Sequence, residues 1–536
     1  PIIISGDEVS YEGYVEDENI HLPFSFVQVY LDPAIFYDEA STSVIVTTKD
    51  KVIQMPTENL TYYVNNQEHT LSFPAITKKD DEIYLETNWM TELYPMDVHY
   101  DSETGAIQIF KAGDVIVKGK ASGERKEHTF RLRTEPSLTS PYVAELNPEE
   151  LVTIEGEEDQ FYKIRKENGI SGYVQKKVIT IDETITVDKK AVEKESISLP
   201  EVEWPIHLTW DAIYHSDATP TSLTKYEGVQ VISPTWFHLD DDQGTVRSYA
   251  KKEYVNAAKE QEYQIWALFS NDFDPEKTHS ALKTFETRQK VIAQLLEYAN
   301  IYELDGFNID FENVMLEDGP LLTQFMRELT PLAHEAGLII SMDITFISTN
   351  ERYSMFYERE KLAEIVDYLI VMAYDEHWAS SPKAGSVASL PWVEKNLQTL
   401  LEVVPHDRLL LGVPLYTRLW KETLDEDGNV TVESKSMSMN EVEQWISEHD
   451  VQPIYDEATG QHYVEWKDPD EPTTYKIWIE DTTSLEKRAE LVHKYQLAGM
   501  ASWSDYFAAE EVWKDLNESL RTKSVVKNVQ TNENGR

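Results

Sequence analysis

The chain of 536 residues contains no cysteine. That absence excludes a disulfide framework, thiolate metal sites and thiol catalysis. Cations are scarce: 48 Lys and Arg stand against 97 Asp and Glu, a formal net charge of −49. Phosphate contacts need a basic surface, so nucleic acid is disfavoured as a partner, and an anionic membrane surface is disfavoured for the same reason. The acidic surplus reads as a solvated surface. No run of about 18 apolar residues occurs, so the sequence offers no membrane-spanning helix. It opens at Pro1 without Met. Together with the missing cysteine, this leads us to expect a secreted protein, extracellular or cell-wall associated, of a Gram-positive-type bacterium, its leader or anchor removed. No zinc or phosphate-loop motif is present, and no cofactor or metal is expected. The run Asp240-Asp241-Asp242 lacks the chelate spacing and glycine of a calcium loop and reads as a solvated loop.

What is abundant is hydrophobic and aromatic: 41% hydrophobic residues, with 13 Trp, 29 Tyr and 17 Phe. That suffices for several packed domains at roughly 150 residues each. Core packing is the ordinary use of an aromatic ring; stacking on pyranose faces is the other common one. Over residues 1–122 a weak internal repeat runs without gaps at an offset of 63: Asp17, Ile20, Leu22, Tyr37, Asp38, Val52 and Ile53 match Asp80, Ile83, Leu85, Tyr100, Asp101, Val115 and Ile116. A repeated unit of strand, short helix and two strands predicts a duplicated α+β domain. It resembles the N-terminal repeat domain of copper amine oxidases; no histidine cluster accompanies it, so no copper chemistry is implied. Residues 128–182 alternate or cluster β-formers between Pro, Asn and Gly turns, as in Phe161-Tyr162-Lys163-Ile164 and Gly172-Tyr173-Val174. This stretch resembles a bacterial SH3-like barrel, which implies cell-wall binding; a spacer is the alternative. Residues 183–203 read as a linker, and residues 522–536 as a polar, disordered tail.

From 204 to 521 strands alternate with helices. Eight candidate strands, Ile206–Trp210, Val229–Ser233, Gln264–Phe269, Gly306–Phe311, Leu338–Ile344, Tyr368–Ala373, Leu409–Pro414 and Met500–Trp503, predict a (β/α)8 TIM barrel with its chemistry at the strand C-termini. Residues 421–482 are too long for one crossover helix and carry hairpin-like pieces, predicting a small α+β insertion.

The fourth strand reads Gly306-Phe307-Asn308-Ile309-Asp310-Phe311-Glu312. With period two, Phe307, Ile309 and Phe311 face the helices while Asn308, Asp310 and Glu312 face the barrel axis. Inward polar groups are costly unless paired or functional. The stretch resembles the signature of glycoside hydrolase family 18, Asp-Gly-x-Asp/Asn-x-Asp-x-Glu. Met372-Ala373-Tyr374-Asp375, Gly412-Val413-Pro414-Leu415-Tyr416-Thr417-Arg418 and Trp503 extend the resemblance over the last 310 residues or so.

The resemblance implies a retaining, substrate-assisted glycosidase. Glu312 would protonate the leaving oxygen, and Asp310 would accept from the substrate acetamido N–H. Tyr374 would donate to the acetamido oxygen, which attacks the anomeric carbon. Asp375 would contact the sugar, and Trp503 would floor the cleavage subsite. Asn308, Met372, Tyr416, Arg418, Trp378 and Trp236 complete the expected substrate-binding set, with Trp236 as a platform. His377 and Trp378 are read as sugar contacts or loop packing. Two departures matter. Asn308 stands where the family often has Asp, so the acidic limb of the pH profile is expected to differ from that of an Asp-containing relative. The third strand reads Trp266-Ala267-Leu268-Phe269-Ser270-Asn271 in place of Ser-x-Gly-Gly. Both resemble the subgroup of Bacillus-type spore-cortex and cell-wall N-acetylglucosaminidases. Peptidoglycan is thus the expected substrate, a chitinase the alternative, and a non-catalytic carbohydrate-binding protein the alternative of another class.

Overall fold

The computed structural model describes residues 1–123, 128–189 and 197–533. The chain divides into two compact units, residues 1–196 except 48–51 in one and the remainder in the other.

In the first unit the repeat is visible as geometry. Strand Asn19–Pro23, helix Phe24–Tyr30 and strands Ser43–Thr47 and Val52–Pro56 recur as Glu82–Glu86, Thr87–Leu93, Ala106–Lys111 and Val115–Ala121, each start displaced by 63 residues. Each copy begins with a hairpin whose two turn residues take positive φ, Asp17 and Glu18 in one, Asp80 and Asp81 in the other. That is the twist-matching turn favoured between antiparallel strands. The hairpins pair with each other so that the repeat-equivalent Leu22 and Leu85 sit opposite, and both are fully buried with Phe26 and Met90.

The equivalence breaks at the last strand. Val52–Pro56 pairs with Ser43–Thr47 of its own copy. Val115–Ala121 pairs instead with Leu151–Glu158 and Ile179–Thr186 in the seven-stranded sheet of the next module. Strand Ile2–Ile4 takes the vacated edge of Ala106–Lys111, in parallel. The expected boundary at 122 therefore falls one strand too late. The expected linker also begins too early: Ile179–Thr186 runs into it, because its backbone is satisfied by Val115–Ala121. Residues 190–196 of that linker lie outside the described residues. The second module packs Leu132, Val152, Ile164 and Val174 in its core.

In the second unit eight parallel strands close a barrel: β1 (Ile206–Asp211), β2 (Val231–Pro234), β3 (Gln264–Ser270), β4 (Gly306–Asp310), β5 (Ile339–Ile344), β6 (Tyr368–Met372), β7 (Leu409–Pro414) and β8 (Gly499–Trp503). Closure comes from β1 pairing with β8 and β2 with β3. Leu208, Trp266, Leu268, Ile370 and Leu410 fill the barrel. Glycine at 306 is required by close approach, since a Cβ there would meet the Ile339 carbonyl oxygen at 2.5 Å. Outside the barrel, helices α1 (Phe285–Tyr302) and α2 (Gly319–Glu335) are tied by Arg288 to Glu328 at 2.8 Å, both fully buried. Phe311 stacks on Phe325 of α2, the outward role its position in the strand predicts.

Between β7 and β8 a five-stranded antiparallel sheet is inserted with helix α3 (Met439–Glu448). It begins at Thr417, four residues before the sequence suggested, because the strand Thr417–Leu424 follows β7 with little interruption. After β8, helix α4 (Glu510–Glu533) runs through most of the stretch expected to be disordered. No proline or glycine interrupts 510–533, so the helix has no built-in stop.

Candidate active site

The C-terminal ends of the barrel strands open onto a cleft of ≈ 510 Å³ lined by Asp310, Glu312, Asp343, Met372, Tyr374, Asp375, Tyr416, Arg418 and Trp503 among others. Glu312 lies two residues beyond the end of β4. Its backbone is held by one buried side chain: Asn271, at the exit of β3, accepts from the Glu312 N–H at 3.0 Å and donates to the Glu312 carbonyl at 2.7 Å. Asn271 is itself fixed by Thr278 at 2.9 Å. The preceding carbonyl, of Phe311, accepts from the Tyr357 hydroxyl at 2.7 Å. The next residue, Asn313, takes a left-handed conformation (φ 52°), a position short polar side chains tolerate.

Asp310 is buried on the barrel axis, 8% exposed. Its carboxyl is hydrogen-bonded to that of Glu312, while its buried Oδ1 has no partner among the described residues. Burial pushes Glu312 well above the usual carboxylate range, and the charges of Asp310 and Asp375 add to it. Asp310 is also raised, by burial and then by Asp343. A carboxyl held well above the usual range, beside one with an unpartnered oxygen, is a pairing suited to general acid catalysis.

At the end of β6, Asp375 adopts φ 57°, turning the chain as it enters the cleft. Its Oδ1 accepts from the Tyr416 hydroxyl and, at 3.2 Å, from Arg418. Tyr374 lies edge-on to Tyr416 at 6.2 Å, and burial raises its hydroxyl well above the ordinary range. Trp503 is half-buried and packs beside Trp210, ring centroids 5.8 Å apart.

Three expectations change. Trp236 is completely buried, packed on Tyr254 and Phe237, because the chain turns inward after β2; it is a core residue. Asn308 is fully buried and lies beneath the cleft floor. Its amide accepts from Trp210 Nε1 at 2.9 Å and donates to Ser341 at 3.1 Å and Asp343 at 2.8 Å. Trp378 is half-exposed on the loop after β6 and does not line the cleft, while His377 folds back with Nδ1 against the Ser386 carbonyl.

Sequence reasoning missed Asp343, Trp210 and Asn271. The signal for Asp343 was available, since Ser341 and Asp343 are the inward period-two positions of β5. Asn271 carried none, as its role is to grip a backbone 41 residues away. In the triple-aspartate run, Asp241 accepts from the N–H groups of Gln243 and Thr245 while Asp240 pairs with Arg247. Among the described residues no group of three or more His, Cys, Asp or Glu is arranged to hold a metal ion.

A barrel whose strand ends present two neighbouring buried carboxyls, with a tryptophan lining the same cleft, has the architecture of a glycoside hydrolase. The chain belongs to glycosyl hydrolases family 18, whose model matches residues 212–507. Residues 3–109 match the copper amine oxidase N-terminal domain and residues 129–180 the bacterial SH3 domain.

Among curated relatives, the uncharacterized glycosylase YvbX of Bacillus subtilis is 24% identical over 57% of this chain and 89% of its own length. The cortical fragment-lytic enzyme of Bacillus anthracis is 22% identical over 48% of this chain and 59% of its own length. Among solved structures, a chitinase from Chromobacterium violaceum superposes with a TM-score of 0.52 at 21% identity, covering 59% of this chain and 99% of that one. That likeness concerns the fold alone.

Proposed function

We propose that the protein hydrolyses β-glycosidic bonds of N-acetylglucosamine in peptidoglycan, of cell wall or spore cortex, with retention and with the substrate's acetamido group as nucleophile. The observation that carries this reading is the Asp310–Glu312 pair. Glu312 donates its proton to the leaving glycosidic oxygen. The unpartnered Asp310 Oδ1 accepts from the acetamido N–H and so turns the acetamido oxygen toward the anomeric carbon. Tyr374 donates to that oxygen, Trp503 supports the sugar face, and Asp375 with Tyr416 and Arg418 holds its rim. No second protein carboxylate is needed as nucleophile, which sets this mechanism apart from that of most retaining glycosidases. Water then opens the cyclic intermediate, with Glu312 taking its proton.

Peptidoglycan is favoured over chitin by the SH3-like module, which would hold the protein to the cell wall, and by the relative named for cortical fragments. The site of action is then outside the cytoplasmic membrane. The mechanism is tested by proton NMR of the first product formed from a soluble N-acetylglucosamine oligomer. The β anomer should appear first and mutarotate later. An α anomer appearing first would rule out the acetamido route.

A further inference from the structure

Asn308 and Asp343 form a matched pair on adjacent strands. An indole N–H can only donate, so Trp210 fixes the Asn308 oxygen toward itself and turns the NH2 group to Ser341 and Asp343. A carboxylate at 308 would instead set oxygen against oxygen at Asp343. Asp343 is 1% exposed, yet it borders the cleft together with Asp310, Glu312 and Tyr374.

We propose that Asp343 is a positioning residue of the catalytic cluster: it supplies from β5 the third carboxyl group that Asn308 does not, and its charge sets how Asp310 and Glu312 share a proton. The groups facing it are acidic or neutral on every side. Asp310 and Glu312 come from β4, Tyr374 from the end of β6, and Tyr357 from the segment after β5. Arg359 lies beyond Tyr357 but spends its guanidinium on the carbonyls of Thr345, Phe346 and Ser354. Among the described residues no Lys or Arg pairs with Asp343. Burial holds the Asp343 carboxyl itself well above the usual range, against the lowering effect of the Asn308 hydrogen bond, so once ionised its charge opposes ionisation of its neighbours without compensation. Burial raises all three carboxyls, and facing carboxyls resist joint ionisation, so their protons are shared rather than owned by one residue.

The experiment compares wild type, Asp343→Asn and the double variant Asn308→Asp/Asp343→Asn, which moves the carboxyl from β5 to β4. Circular dichroism checks folding. Removing a negative charge makes ionisation easier, so in Asp343→Asn the basic limb of kcat/KM should move to lower pH. The value of kcat should fall about 10- to 100-fold with KM nearly unchanged. The double variant should recover most of kcat and move the limb back. Wild-type kinetics and pH profile in Asp343→Asn, or a folded double variant no better than the single one, would overturn the proposal.

The kinetic arm rests on the glycosidase reading; a second arm does not. Carbon-13 NMR of the side-chain carboxyls should show Asp310 and Glu312 titrating at lower pH in Asp343→Asn, and unchanged titration overturns the proposal even if no glycan tried is cleaved. Should Asp343→Asn fail to fold, the same titration on the double variant decides. Resonances close to wild type support the proposal, and resonances displaced as though no third carboxyl were present refute it.

Discussion

The position of the Glu312 backbone depends on a residue that does not line the cleft. Asn271 uses both ends of its amide to fix the Glu312 backbone, so the position of the acid is set from β3, the neighbouring strand. Replacing Asn271 with Ala leaves a backbone N–H and a carbonyl without partners and lets the carboxyl drift. A displacement of the order of 1 Å costs roughly 100-fold in rate. Steady-state kinetics of Asn271→Ala should show a loss of that size in kcat with KM little changed; unaltered kcat would mean the clamp does not position the acid.

Asp310 and Glu312 were readable as axis-facing positions because a strand's period of two separates them from core-facing ones without knowledge of the fold, whereas Tyr374 was expected only from the family resemblance; all three line the cleft. Trp236 was misjudged because the chain beyond β2 packs it against Phe237 and Tyr254, and Asn308 because of its depth. Strand periodicity says which way a side chain points but not how far along the barrel axis it sits. Two residues below Asp310, an inward polar group is already under the floor, where Trp210 and Asp343 satisfy it.

At the level of elements, the corner between β1 and β8 couples structure to pH. Asp211 ends β1 and Asp505 follows β8; the first accepts from Tyr254 at 2.9 Å and the second from Tyr226 at 3.1 Å. Burial, then the charge of Asp211, pushes the Asp505 carboxyl from 3.8 up to about 7. In that window the folded state binds a proton the unfolded state has released, so this group's contribution to stability falls as pH rises from about 4 to 7. Asp505→Asn removes the titration. Unfolding temperatures measured across that range should decline less steeply than for wild type; an identical slope would place the sensitivity elsewhere.

All eight barrel strands were legible, since runs of Leu, Ile and Val bounded by helix signals are characteristic of buried parallel strands. The strand 115–121 was placed in the wrong module for a physical reason. Local sequence dictates that a strand forms, but which edge it joins is decided by backbone partners far along the chain, here Leu151–Glu158 and Ile179–Thr186.

At the scale of the whole molecule, the cleft and the SH3 match fall in different units, so the proposed catalysis and the proposed attachment can be tested apart. The cleft is built entirely from residues of the second unit, and the SH3 match lies in the first. A protein lacking residues 1–196 should therefore cleave soluble oligosaccharides with kcat/KM within about 2-fold of the full chain, since that ratio reports only transition-state binding in the cleft. Release of fragments from insoluble cell wall should be much slower, because a tether raises the local concentration of sites. Comparing the two substrates across both proteins measures it. Equal losses on both would mean the first unit serves the fold of the second rather than attachment. With a formal charge of −49, long-range attraction to an anionic wall polymer is unavailable, so the proposed attachment would need specific contacts.

Glu312 is proposed to cut peptidoglycan at N-acetylglucosamine. The most direct measurement is mass spectrometry of purified peptidoglycan and spore cortex after incubation with wild type and with Glu312→Gln. The expected result is fragments ending in a reducing N-acetylglucosamine with wild type and none with Glu312→Gln. Fragments ending in reducing muramic acid, undiminished cleavage by Glu312→Gln, or cleavage confined to chitin oligomers would contradict it.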